Sequence, residues 1–272
     1  MKTILITGAT GGIGKHAALE LVRRGHHVIA TGRREAALAK VRDEAAAIGT
    51  GRLDTLVLDV TDGRGVDVLV NNAGYGQMGP LETVSDEDLR RQYDTNVFGL
   101  MRVTRAVVPA MRARGGGRII NVGSIGGRVT FPLMGAYNST KYAVESLSDA
   151  LRVELAPFGI EVSIVEPGPI RTEFNDRAME TIDSRAVEGS PYAPILAQAE
   201  AFRDAFESQA ASPEVTTNAI VHAALSRRPR IRYVVPFTAS VLLAVLSFLP
   251  TRLIDSVFKL AAGLTKKRLA RA

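Results

Sequence analysis

The sequence predicts an α/β fold: a doubly wound parallel sheet in one domain over residues 1–235, followed by an apolar helical extension over residues 236–272. Three observations predict it. Short apolar runs alternate with helix-length amphipathic stretches, the pattern of parallel strands joined by right-handed crossovers. A glycine turn, Gly8-Ala9-Thr10-Gly11-Gly12-Ile13-Gly14, separates the first strand-like run from the first helical one. The chain of 272 residues is 46% apolar, enough to bury one large core. It has no cysteine, which excludes disulfides and thiolate metal sites, and no metal site is expected.

Taken in order, Thr3–Thr7 reads as a buried strand. Met1 runs straight into it and glycines follow, leaving no room for a signal peptide, so a cytoplasmic protein is expected. Strand, glycine turn, then a helical pattern from Lys15 to Arg24 is the context of a dinucleotide site. Glycine lets a pyrophosphate approach the backbone, and the helix N-terminus offers free N–H groups. The spacing departs from G-x-G-x-x-G, and a plain loop is the competing reading. His27–Thr31 is the second strand. An acid after it would hold a ribose 2′-hydroxyl, but Gly32-Arg33-Arg34 stands there. Guanidinium groups pair with a phosphate, so NADP(H) is expected over NAD(H).

Glu35–Ile48 is an alanine-rich helix. Leu53–Leu58 is a third strand and Val66–Val70 a fourth, followed by Asn71-Asn72-Ala73-Gly74. Asp86–Met111 reads as one long helix, Arg118–Val122 as a fifth strand ending at Gly123-Ser124, and Tyr137–Pro157 as a helix. Ile160–Val165 is the sixth strand, and Pro167-Gly168-Pro169-Ile170-Arg171-Thr172 breaks the pattern at the sheet edge where ligands bind.

The chemistry falls on Tyr137-Asn138-Ser139-Thr140-Lys141. Residues four apart share a helix face, and a nearby ammonium draws a phenol pKa toward neutrality, which suits proton exchange with an alcohol or carbonyl oxygen. Chance supplies roughly 0.15 such pairs in a chain of this composition, so the pair gains meaning only from its surroundings.

Those surroundings are Thr7-Gly8-x3-Gly12-x-Gly14, Asn71-Asn72-Ala73-Gly74, Asn96, Ser124, Tyr137-x3-Lys141 and Pro167-Gly168. In this order they resemble the short-chain dehydrogenase/reductase family, whose fold is the Rossmann-type sheet. The resemblance implies Tyr137 as general acid/base and Lys141 as the group that lowers its pKa and binds the nicotinamide ribose. It implies Ser124 as hydrogen-bond partner of the substrate oxygen, and Asn96 as holder of a water that relays protons to Lys141. It also implies cofactor contacts along Thr7, Gly8, Thr10, Gly11, Gly12, Ile13 and Gly14. Further contacts are implied at Asp59 and Val60 near the adenine, and at Asn72, Ala73 and Gly74 near the adenosine ribose. Pro167, Gly168, Ile170 and Thr172 complete the set, with Thr172 at the carboxamide. Asn96 as an ordinary helix-face amide and Ser124 as a turn residue are the plainer alternatives.

One departure stands out. Only Asp59–Val66 separates the third strand from the fourth, whereas a parallel crossover usually needs a dozen or more residues. Such a link reaches at most ~30 Å and holds no helix. A deletion, a displaced or absent third strand, or cover from the tail would each explain it. The short link keeps a non-catalytic nucleotide-binding protein as an alternative.

Glu173–Ala211 is expected to be a substrate lid. Phe174, Met179, Ile182, Tyr192, Ile195, Leu196, Phe202 and Phe206 make it apolar, as a pocket or as plain packing. Ser212-Pro213-Glu214 starts a helix to about Leu225, and Tyr233-Val234-Val235 is the last strand. Pro236–Pro250 carries no charge and is too short to span a bilayer. An amphipathic segment, Arg252–Leu264, follows. Residues 226–272 hold ten Lys/Arg and one acid, a balance of +9, so the other 225 residues carry −3. Pocket closure, subunit packing, peripheral membrane contact and an acidic partner such as a carrier protein all suit this tail. It lacks interleaved aromatics, so nucleic acid is not expected. The expected function is NADP(H)-dependent interconversion of a hydrophobic secondary alcohol and ketone (steroid-, retinoid- or lipid-like) by a homo-oligomer, with 3-oxoacyl-carrier reduction as the alternative.

Overall fold

A computed structural model of the chain describes residues 1–57, 65–182, 190–193 and 208–265. Seven parallel strands form one sheet in the order β3-β2-β1-β4-β5-β6-β7. They are β1 (Thr3–Ile6), β2 (His27–Gly32), β3 (Arg52–Val57), β4 (Val68–Asn71), β5 (Gly117–Val122), β6 (Ile160–Pro167) and β7 (Arg232–Val235). The order reverses between β1 and β4, so the carboxyl ends of these strands open a crevice.

Helices α1 (Gly12–Arg23), α2 (Glu35–Ala46) and α7 (Pro213–Leu225) cover one face, around Ile4, Ile6, Val28, Ala30 and Leu53. On the other, α4 (Leu100–Ala113) and α5 (Gly135–Leu155) pack on Leu5, Leu69, Ile119 and Val162. Before these come α3 (Asp86–Tyr93) and, after β6, the short α6 (Phe174–Met179). The alternate strand residues face opposite helices, as the two-residue period requires. The expected single helix over 86–111 is broken by a π-helical turn at Asp94–Gly99, between α3 and α4.

The third strand is neither displaced nor absent. It pairs with β2 from His27↔Arg52 to Gly32↔Val57. Nor do the described helices of the tail cover the gap: α8 (Phe237–Phe248) follows β7, at the sheet edge opposite β3, and α9 (Thr251–Ala261) places Phe258 against Phe131. Of the link itself, residues 58–64, with the expected contacts Asp59 and Val60, lie outside the described residues. Beside the gap, Asp54 shares the Ile29 side of the sheet and binds His27 Nε2 at 2.8 Å, while Leu56 stays exposed. A polar pair there needs no helix over it.

Ser212 caps α7 by accepting from Glu214 N–H, with Pro213 in the first turn, as its sequence predicts. Among the described residues no helix is long and apolar enough to cross a membrane.

Candidate active site

The glycine turn leads from β1 into α1 at the carboxyl edge of the sheet. Gly8 has φ +67°, and a Cβ there would lie 2.7 Å from Ala73 Cα. At Gly14 it would lie 2.3 Å from Asn72 Nδ2 and 2.5 Å from the Gly8 carbonyl. Only glycine permits this approach of turn, helix and the Asn72 loop. Asn72 Nδ2 donates to the carbonyls of Thr7 (3.0 Å) and Gly8 (3.1 Å). Thr7 Oγ1 accepts from the N–H groups of Asn72 and Ala73, both at 3.0 Å, and its hydroxyl faces the Val70 carbonyl at 3.5 Å. Thr7 is buried, and its hydroxyl serves the scaffold that shapes the turn.

Gly11 precedes α1 without a side-chain cap, and the first turn of α1 holds no acid. The turn therefore presents uncapped N–H groups and a positive helix end, which fits a pyrophosphate. Thr10 Cγ2 packs where a Gly32 Cβ would stand. Thr172 faces Gly12, with its Cβ 3.7 Å from a Cβ built there. Arg33 and Arg34 are exposed just past β2, with Arg34 preceding α2.

Tyr137 and Lys141 lie on the first turns of α5, both buried. Burial pushes the Tyr137 phenol up to about 12, and a hydrogen bond with Ser124 opposes that rise. The expected lowering by Lys141 is not what dominates: desolvation does. Lys141 Nζ lies 5.7 Å from the Tyr137 ring centre and donates to the Val122 carbonyl at 2.8 Å. Burial brings its ammonium down to about 8, against the attraction of Glu145 one turn on. Ser124, at the end of β5, accepts from Gly126 N–H at 3.0 Å and approaches the Pro167 carbonyl at 3.4 Å.

Asn96 sits inside the π turn, 2% exposed. Its Oδ1 accepts from Tyr75 N–H (3.1 Å), and its Nδ2 donates to the Tyr75 carbonyl (3.0 Å) and Thr140 Oγ1 (3.1 Å). The amide thus clamps the Gly74–Tyr75 loop to the Tyr137 helix. Gln92, one turn earlier, donates to the same Tyr75 carbonyl at 2.7 Å and accepts from Gln77 N–H. Neither Gln77 nor Gln92 is distinguished in the sequence: each reads as a surface amide, and both are buried.

The segment expected to be a substrate lid starts on this platform. Thr181 Oγ1 accepts from Met78 N–H at 2.9 Å, and its carbonyl accepts from Gln77 Nε2 at 2.8 Å. Phe174 lays its ring on Tyr137 and fills the space beside Gly76. Ile170 is buried and bridges to Ala211. Gly168 donates to the Val235 carbonyl, and Ala239 of α8 stands 2.9 Å from where its Cβ would be. Of the expected lid residues, Ile195, Leu196, Phe202 and Phe206 lie outside the described residues.

A dinucleotide turn at the crevice of a doubly wound sheet, beside a half-buried serine and a buried tyrosine–lysine pair, defines an oxidoreductase of the NAD(P)-dependent kind. The family model described as short chain dehydrogenase matches residues 2–183, and the chain belongs to that family. Similar proteins include the uncharacterized oxidoreductase YbbO of Escherichia coli K12, 35% identical over 95% of this chain and 94% of YbbO. An NADPH-dependent 3-dehydrocapnine reductase of Ornithobacterium rhinotracheale is 32% identical over 95% of this chain and 96% of its own. Among solved structures, a short-chain dehydrogenase from Streptomyces avermitilis superposes with a TM-score of 0.73 at 36% identity, covering 94% of this chain and 93% of that one.

Proposed function

We propose that this protein is an NADP(H)-dependent reductase of a hydrophobic ketone, in which Tyr137 donates the proton. The observation that carries the reading is the Tyr137 phenol: buried, hydrogen-bonded to Ser124, and held protonated with a pKa of about 12. A neutral phenol at working pH has a proton to give, as carbonyl reduction requires. NADPH, when bound, supplies the hydride. Ser124 hydrogen-bonds the substrate oxygen and steadies the charge that develops there. Lys141 binds the nicotinamide ribose and, once that contact draws it toward the phenol, eases the proton transfer. Asn96 anchors the loop and helix between which a relay water would sit. Arg33 and Arg34 at the end of β2 favour a 2′-phosphate over a bare ribose.

Apolar groups around the phenol, Phe174 above all, support a lipophilic substrate. The similarity to an NADPH-dependent 3-dehydrocapnine reductase supports reduction with NADPH, and a 17-beta-hydroxysteroid dehydrogenase type 1 of comparable identity keeps a steroid-like ketone among the substrates to test. Exposed Phe98 beside α4 and Tyr142 and Val153 on α5 support a homo-oligomer formed on that side.

The test is titration with NADPH and NADH followed by fluorescence, then reduction of long-chain and steroid-like ketones by wild type and Tyr137→Phe. The expected result is tighter NADPH binding, shared by the variant, and turnover lost by at least about 10²-fold only in the variant. Binding of neither nucleotide, or equal turnover by both proteins, overturns the proposal.

A further inference from the structure

Helices α8 and α9 expose an unusual amount of apolar surface. On α8, Phe237 (80% exposed), Val241, Val245 and Phe248 (86%) recur at the spacing of one helix face and point outward. On α9, Leu253, Val257 and Leu260 do the same. Both helices are already anchored by other residues. Ala239 of α8 is buried against Gly168, and Phe258 of α9 meets Phe131 with ring centres 5.6 Å apart. The outward stripes are therefore additional to the packing that holds the helices in place. Soluble monomers rarely expose such patches without a partner.

We infer that α8 and α9 lie in the interface of a membrane bearing anionic lipids, with their outward stripes among the acyl chains. Length sets the mode of contact. Twelve residues of α8 rise ~18 Å, short of the ~30 Å hydrocarbon core, so the helix rests on the bilayer and does not cross it. Charge sets the partner. Arg252 and Lys259, seven apart and exposed, border the α9 stripe, and the sequence from residue 236 to 272 holds six basic residues against one acid, Asp255, a balance of +5. An isologous contact between two copies would bring this charge against itself. An anionic lipid surface attracts it, by ~1 kcal/mol per basic residue near the surface.

The placement matters for the site. Phe131 lies between Ser124 and Tyr137 in sequence, so α9 stands on the segment joining the two residues that face the substrate oxygen. A lipophilic ketone dissolved in the membrane would then reach the site from the bound side. The docking itself does not depend on the ketone reading, and its test needs no substrate.

The experiment is co-sedimentation of the full chain with vesicles of phosphatidylcholine alone, or with about 30% phosphatidylglycerol, at about 0.1 M salt. Wild type is compared with the double variant Val245→Glu, Phe248→Glu. Wild type is expected to bind the anionic vesicles at least about tenfold more strongly than the neutral ones, and the variant to lose at least about tenfold of that binding. An unchanged NADPH titration shows that the variant is folded. Failure of wild type to bind anionic vesicles, equal binding to both vesicle types, or undiminished binding by a folded variant overturns the proposal. A wild-type dimer that the variant converts to monomer, without vesicle binding, would instead give the stripes to a second copy.

Discussion

The rings of Tyr137 and Phe174 lie with centroids 5.4 Å apart and planes inclined at 58°. Phe174 opens α6, so the first residue of that helix touches the proposed proton donor. Its ring takes part in the burial that raises the phenol pKa. Phe174→Ala should lower that pKa toward 10, read by ultraviolet titration of the wild type against the variant. It should also raise KM for hydrophobic ketones more than it lowers kcat, at a stability cost of about 1–2 kcal/mol.

Gly14→Ala should act through the scaffold. The new methyl group would collide with Asn72 Nδ2, which holds the Thr7 and Gly8 carbonyls. Moving Asn72 reshapes the turn offered to the pyrophosphate. A stability loss of about 2 kcal/mol by urea denaturation and at least about tenfold weaker NADPH binding are expected.

The Lys141 ammonium, brought down to about 8 by burial, loses its proton just above neutrality. The free enzyme's kcat/KM should therefore decline as pH rises past about 8, because the role proposed for Lys141, holding the ribose and assisting the phenol, needs its charged form. Lys141→Arg, whose charge persists, should be less active and lack that decline. A pH profile of both proteins is the check.

Glu145 gives a stability prediction of opposite chemistry. Burial first, then the neighbouring Glu166 carboxylate, raise it to about 7, against the pull of Arg232. Because the folded value exceeds the unfolded 4.5, the folded state binds more protons between these pH values. Its contribution is full below about 4.5 and is lost as pH rises through about 7. Glu145→Gln should flatten the fall in urea midpoint between pH 5 and pH 7.5.

The sheet was legible because parallel strands buried on both faces read as short apolar runs, and β1, β2, β4, β5 and β6 all have that character. Tyr137 and Lys141 stood out as a candidate pair by residue type and helical spacing, whereas Ser124 was singled out only through the family resemblance. The break at Asp94–Gly99 was not: amphipathic periodicity runs through it, and nothing in Asp-Thr-Asn-Val-Phe-Gly announces a wider turn. Gln77 and Gln92 were hidden because glutamine is ordinarily a surface residue, and only the fold brings them under Tyr75. The direction of the Tyr137 shift also lay beyond the sequence, since spacing gives a neighbour's charge but not the depth of burial.

The π turn at Asp94–Gly99 sets the angular phase between α3 and α4. Successive residues of a helix are separated by about 100°, so deleting one residue to restore an unbroken helix would rotate everything on one side of it by that amount. Gln92 and Asn96 could not then both meet Tyr75 while Val103 and Val107 stayed in the core. The segment therefore works as a spacer between two otherwise incompatible phases, and, Asn96 apart, it tolerates a change of residue more readily than a change of length.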